Sequence, residues 1–129
     1  MSQIPLLLIP FVLLNVLIFF AGGVAQPLFD GTLPSGGVWV FTRADGVALL
    51  GLVLLYLEIL KSTRTGNASI IDHVLSLLLF VACLMEFILV KEAAHSALVL
   101  LTAMCLIDVI AGFTVSISVA RRDIDLLGR

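Results

Sequence analysis

Four stretches of the chain are almost wholly apolar, and only isolated polar positions interrupt them. They cover residues 4–21, 43–60, 70–90 and 93–120. Each is close to the ~20 residues that a helix needs to cross ~30 Å of hydrocarbon, and helices satisfy their own backbone polar groups in lipid. A β-barrel would instead alternate apolar and polar residues in segments of roughly ten. The pattern predicts an all-α fold, in which residues 1–129 form a single domain, an antiparallel bundle of four transmembrane helices.

Composition strengthens the membrane interpretation. The chain is 61% hydrophobic and 12% charged, with a mean hydropathy of +1.24, whereas a soluble domain is roughly a quarter charged. Such a chain lacks the polar groups to cover itself in water. Its net charge of −2 gives no basic surface for nucleic acid. We therefore expect the lipid bilayer, and no nucleic acid, as a partner.

The first apolar stretch also has features of a signal peptide, since Gly23-Val24-Ala25 resembles a cleavage site. Its first residues carry no Lys or Arg, however, and a signal peptide begins with a positive region. We predict a helix there, kinked at Pro10. The following residues 22–41 form an outer loop rich in glycine and proline, without a helix or strand period. Trp39 and Phe41 before the second helix are typical of a membrane interface.

The distribution of basic residues predicts the orientation. Four spans place both termini and the second loop on one side. The other side holds two basic residues, Arg43 and Lys91. The side with the termini holds five: Lys61, Arg64, Arg121, Arg122 and Arg129. Because Lys and Arg accumulate on the untranslocated side, we expect both termini in the cytoplasm, with a bacterial inner membrane as the location.

Two helix starts carry the capping-box pattern, in which a hydroxyl residue precedes an acid by three positions. They are Thr42 with Asp45, and Ser69 with Asp72. The pattern predicts that both acids close free backbone N–H groups rather than perform chemistry.

Asp108 is an acid near the middle of the fourth apolar stretch, where a charge costs about 2.5–3.5 kcal/mol. Asn15 is the one strongly polar residue near the middle of the first stretch. We predict that Asp108 and Asn15 share a depth and form an interhelical hydrogen bond. The alternative is that Asp108 is the protonatable group of a proton-linked carrier.

Small and polar residues recur on one face of three predicted helices. The spacing of three, four or seven places them in one stripe on each helix, and small residues allow helices to approach closely. We expect these faces to look inward: Ala44, Ala48, Gly51 and Glu58; Asp72, Ser76, Cys83 and Glu86; and Asp108, Gly112, Ser116 and Ala120.

Two further acids have structural interpretations. Glu58 lies three residues before Lys61, which predicts an ion pair at the headgroup boundary, where long side chains reach toward water. Glu86 lies just before a tight turn with Lys91 and His95, and pairing across that turn explains it as well as a proton-linked role does.

The sequence offers no enzyme-like site. His73 and His95 begin predicted helices at opposite sides of the membrane, so one haem cannot take both. The chain has no His, Cys, Asp and Glu spacing typical of metal sites, and no nucleophile–base pair, phosphate loop or dinucleotide fingerprint. We therefore expect no cofactor and no enzymatic activity.

In size and number of spans the chain is similar to the small multidrug resistance transporters, but the glutamate of their first helix is absent here. The order of spans also resembles the claudins, whose cysteines in the first outer loop are absent. These likenesses concern topology alone. We predict a non-catalytic subunit or scaffold that binds helices of other membrane proteins. The alternative is a small proton-coupled transporter or channel that works as a homo-oligomer through Asp108.

Overall fold

A computed structural model describes residues 4–62 and 68–128, and these residues are mostly helical. The elements in chain order are α1 (Leu8–Phe19), β1 (Pro27–Thr32), β2 (Val38–Thr42), α2 (Arg43–Ser62), α3 (Ala68–Leu89), a 3-10 turn (Lys91–Ala93) and α4 (Ser96–Leu127). Two helices are long and apolar enough to cross a membrane, Ile70–Leu89 within α3 and Ser96–Leu127. Helix α1 is equally apolar but shorter.

Helix α4 is the centre of the bundle. It packs along both α2 and α3, while α1 packs more lightly on α2 and α4. Successive helices run in opposite directions, which gives the bundle two distinct ends. The hairpin end holds β1, β2 and the 3-10 turn. The loop end holds the start of α1, the end of α2 and the start of α3.

Helix α1 differs from its predicted bounds, residues 4–21. It begins at Leu8, and Pro10 is therefore in its first turn. A proline there removes only an N–H that has no intrahelical acceptor. Pro10 therefore gives no reason for the predicted kink. Beyond Phe19 the chain turns at Gly22 and Gly23, whose positive φ angles of 85° and 99° suit glycine.

The outer loop contains a β-hairpin, which the sequence prediction missed. Strands β1 and β2 pair antiparallel from Phe29 with Phe41 to Thr32 with Val38, and Leu33 N–H donates to the Gly37 carbonyl at 2.7 Å across the tip. The signal was present in the β-branched and aromatic run Val38–Phe41, preceded by a glycine turn.

The first predicted capping box is confirmed. Thr42 N–H donates to Asp45 Oδ2 at 3.0 Å, and Asp45 N–H donates to Thr42 Oγ1 at 3.3 Å. At the second box the structure differs, because α3 already begins at Ala68. The backbone of Ser69 is therefore already helical, and Asp72 pairs with Lys61.

Helix α4 ends seven residues later than its predicted range, 93–120, and begins three residues later. Seven residues at 1.5 Å each extend it by about 10 Å at the loop end. The added turns at the loop end carry Arg121, Arg122, Asp123 and Asp125, and all four side chains are exposed.

Candidate functional site: a buried polar cluster at the loop end

Lys61 joins two carboxylates from different helices. Its Nζ lies 2.9 Å from Glu58 Oε1 on α2 and 3.2 Å from Asp72 Oδ1 on α3. Among the described residues these two buried oxygens have no hydrogen-bond partner, so their compensation comes from the ammonium charge of Lys61. The predicted Glu58–Lys61 pair is present. Glu58 does not reach toward water, however, because its side chain is only 1% exposed.

The same pair binds the start of α1. Glu58 Oε2 accepts the Leu6 N–H at 2.8 Å, and Lys61 Nζ donates to the Ile4 carbonyl at 3.1 Å. Leu6 lies two residues before α1, so its N–H is outside the hydrogen bonds of that helix and needs another acceptor. Glu58 Oε2 is that acceptor. Glu58 and Lys61 thus connect α1, α2 and α3 at one point.

Asp108 lies deeper in the bundle and is 5% exposed. The Ser76 hydroxyl on α3 donates a hydrogen bond to it, and Asp108 is close enough to Glu58, Asp72 and Lys61 for electrostatic interaction. We call these five residues the polar cluster: Glu58, Lys61, Asp72, Ser76 and Asp108. Three carboxyl groups share one lysine within it.

His73 connects α3 to α4 beside the polar cluster. Its Nε2 and the Ser116 hydroxyl are 2.7 Å apart. Gly112 makes this approach possible, because a Cβ at that position would lie 2.7 Å from His73 Cε1. The sequence prediction assigned Gly112 and Ser116 to helix packing but treated His73 only as a haem ligand to be excluded.

A second, smaller polar contact lies near the hairpin end. Asn15 Nδ2 donates to Glu86 Oε1 at 3.2 Å and to the Phe11 carbonyl at 2.9 Å. The predicted bond from Asn15 to Asp108 is therefore replaced by one to Glu86, which pairs with Asn15 rather than with Lys91 or His95.

The positions of Asn15 and Asp108 along their helices explain why the two side chains do not meet. Asn15 is about one turn from the hairpin end of α1, because α1 ends at Phe19. Asp108 is about three turns from the start of α4 at Ser96. At 5.4 Å per turn the two residues differ in depth by roughly 11 Å.

Small residues allow the remaining close approaches. A Cβ on Gly51 would lie 2.8 Å from Met104 Sδ, where α2 meets α4. Between α3 and α4, the buried thiols of Cys83 and Cys105 are 3.9 Å apart, and both cysteines are free.

Within residues 4–62 and 68–128, no three His, Cys, Asp or Glu side chains are grouped so as to hold a metal ion.

Comparison with known proteins does not assign a function to the polar cluster. The chain matches no protein family, no curated protein and no solved structure. Functional interpretation therefore depends on the residues themselves.

The polar cluster was predicted only in part. Sequence reasoning identified Asp108 and Glu58, and it placed Asp72 and Ser76 on one inward stripe. It missed that Lys61 bridges α2 and α3, although Lys61 and Asp72 flank the same short loop. It also missed the contacts to Ile4 and Leu6, which use backbone atoms and therefore leave no trace in side-chain spacing.

Proposed function

We propose that this chain is an integral membrane protein whose four helices cross the bilayer and that it acts as a non-catalytic subunit or scaffold of a larger membrane assembly. The observation that supports this proposal is the distribution of charged and apolar side chains, which is the reverse of that in a water-soluble protein. Charged groups of α2 and α3, with Asp108 of α4, are buried against one another, whereas large apolar side chains cover the outward faces of the same helices. Water favours the reverse arrangement, and lipid favours this one.

Helix α1 is only about 18 Å long by itself, but the chain on either side of it is held at the two ends of α2. Its entry is held at Glu58 through Leu6, and its exit is held where Arg43 donates a hydrogen bond to the Ala21 carbonyl. Arg43 and Glu58 lie near opposite ends of α2, about 22 Å apart along the helix axis. The segment from Leu6 to Ala21 therefore runs beside most of α2.

The orientation remains the one proposed from charge, with both termini in the cytoplasm and the hairpin outside. Arg121 and Arg122 are at the loop end, as that orientation requires. Arg64 and Arg129, which contribute to the same bias, lie outside the described residues. A bacterial inner membrane is the proposed location.

The scaffold role is supported by the pairing of the buried polar groups with one another inside the bundle. Glu58 and Asp72 are paired with Lys61, Asp108 accepts from Ser76, and Glu86 accepts from Asn15. What the bundle offers to its surroundings is apolar helix surface. One such surface is a strip on α1 that lines an apolar groove: Leu8, Ile9, Val12, Leu13 and Val16. Helices of other membrane proteins are the proposed partners of this α1 strip.

Site-specific photo-crosslinking in native membranes tests the scaffold role. A photo-reactive amino acid at Val12, in the α1 strip, should give discrete adducts with other polypeptides. The same group at Val53, equally exposed on the outer face of α2, is the matched control and should give mainly lipid adducts. Adducts only with lipid or with a second copy of this chain at both positions would contradict a hetero-oligomeric scaffold.

One observation favours a second candidate, a small proton-coupled transporter or channel. Three buried carboxyl groups share a single lysine, and Asp108 is the one without a direct contact to it. A buried acid of this kind is a common feature of proton pathways. Proteoliposomes with an internal pH dye test the idea. Proton flux that disappears in Asp108→Asn but persists in Asp123→Asn would favour the transporter, and equal flux in both would exclude Asp108 as its carrier.

A further inference from the structure

The hairpin carries an exposed cluster of aromatic rings on one face. Phe29 and Phe41 stack with ring centroids 4.9 Å apart, and Trp39 meets them edge-on at 5.4 and 5.7 Å. The strand register places Gly31 on the same face, opposite Trp39. We call this face, Phe29, Gly31, Trp39 and Phe41, the aromatic face. Trp39 is still 45% exposed.

The opposite face of the hairpin is different in character. It carries Asp30, the hairpin's one charged residue, together with Thr32, Val38 and Val40. All of the hairpin's rings therefore lie on one face of the sheet, and its one charge lies on the other.

The hairpin is held at the end of the bundle by several contacts. Strand β2 ends at Thr42, and α2 begins at Arg43 with no linker. Arg43 N–H donates to the Gln26 carbonyl at 3.0 Å. Gly46, in the first turn of α2, leaves room for Leu28 and Phe41, which a Cβ there would meet at 3.4 and 3.7 Å. The aromatic face thus starts level with the first turn of a proposed membrane span.

Two physical limits fix the depth of this face. A two-stranded sheet has two open edges, and unpaired backbone groups are not tolerated in hydrocarbon. An aromatic cluster in which Phe29 and Trp39 remain about half exposed is equally unsuited to bulk water. The headgroup region satisfies both limits, since it offers water and polar atoms to the edges and apolar volume to the rings.

We propose that the aromatic face inserts into the outer interfacial layer of the bilayer, while the face bearing Asp30 points to water. The occupant of the aromatic face is therefore lipid, at the level where headgroups meet acyl chains. This inference rests on the proposed membrane span of the bundle and adds that the hairpin fixes the depth of α2 and the tilt of its outer end.

Trp39 is the only tryptophan in the chain, which makes it a unique fluorescent probe of depth. The purified full chain is placed in nanodiscs whose phosphatidylcholine is brominated either near the headgroup or near the end of the acyl chain. Bromine quenches tryptophan only at short range. Trp39 should be blue-shifted relative to tryptophan in water, and it should lose more emission to the shallow bromines than to the deep ones.

Two variants in a Trp39→Phe background make the result decisive. Leu106→Trp is on the outer face of α4 about midway along the proposed span, and it should lose more emission to the deep bromines. Val38→Trp is on the opposite face of the hairpin and should be quenched less than Trp39 by both lipids.

Each outcome has one meaning. If Leu106→Trp is quenched and Trp39 is not, the hairpin inference is overturned while the membrane proposal stands. Stronger quenching of Trp39 by deep than by shallow bromines, or equal quenching of Val38→Trp and Trp39, also overturns the inference. If neither Leu106→Trp nor Trp39 is quenched, the membrane proposal fails and the inference fails with it.

Discussion

Replacing Lys61 with methionine removes the single cation of the polar cluster and keeps a similar side-chain volume. Two buried carboxylate oxygens, Glu58 Oε1 and Asp72 Oδ1, then lose the charge that compensates them. An uncompensated buried polar atom costs about 1–3 kcal/mol, and breaking a buried ion pair by removing one partner costs about 3–5 kcal/mol. Two such oxygens would cost about 2–6 kcal/mol, a range that contains the ion-pair figure, so we expect Lys61→Met to lose about 3–5 kcal/mol of folding free energy.

Reversible unfolding in mixed micelles, followed by far-UV circular dichroism, measures this loss. Lys61→Arg keeps the charge and should lose much less than Lys61→Met. Lys91→Met is the matched control, because Lys91 is exposed in the 3-10 turn, and it should stay within about 0.5 kcal/mol of the unmodified chain. Hydrogen exchange should also rise at Leu6, since Glu58 no longer has a fixed position.

Equal stability of Lys61→Met and Lys91→Met would refute the reasoning. It would mean that the carboxyl groups of the cluster are neutral or hydrated without the lysine, and that the cluster does not hold the loop end together.

Three further substitutions test the contacts between helices. Gly112→Ala should destabilise by about 1–3 kcal/mol in the same unfolding assay, because its Cβ meets the ring of His73, which cannot be compressed. Gly51→Ala should cost less, below about 1.5 kcal/mol, because its Cβ meets the flexible end of Met104. Asn15→Leu should cost about 1 kcal/mol, the usual value of a hydrogen bond between membrane helices, and hydrogen exchange should increase along α1.

The order of these effects is as informative as their size. Ala103→Val, at an exposed position of α4, controls for added volume and should leave stability nearly unchanged. A larger loss for Gly51→Ala than for Gly112→Ala would contradict the described packing of α4. An unchanged Asn15→Leu variant would show that α1 is held by apolar packing and by the contacts at its two ends, without a contribution from Asn15.

The helices were predictable because their apolar runs and inward stripes follow the 3.6-residue period, and a single helix contains that information. Asp72, Ser76 and Cys83 are buried on one stripe of α3, as their spacing indicates. The β-hairpin was not foreseen because its glycines and prolines dominate the composition of residues 22–41. Strand pairing there depends on the short run Val38–Phe41.

The pairing of polar groups was less predictable, because it depends on the relative depth of helices. Asn15 and Asp108 are each near the middle of an apolar stretch, but Asn15 is about one turn and Asp108 about three turns from the hairpin end of its helix, so the residues do not meet. Glu58 was expected near water. Its burial follows from the docking of the α1 backbone at Leu6, which side-chain patterns do not record.

In the proposed membrane bundle, lipid surrounds the outward faces of the helices while the polar cluster is enclosed. Spin labels on Val53, Leu78 and Ile110 of α2, α3 and α4, with Cys83 and Cys105 replaced by alanine, test it in nanodiscs through collisions with oxygen and with a water-soluble nickel chelate. All three side chains are about half exposed on outward faces, so the account predicts strong relaxation by oxygen and little by nickel at every position. Strong relaxation by nickel at these three positions would mean that water covers the apolar faces, and it would contradict the membrane account.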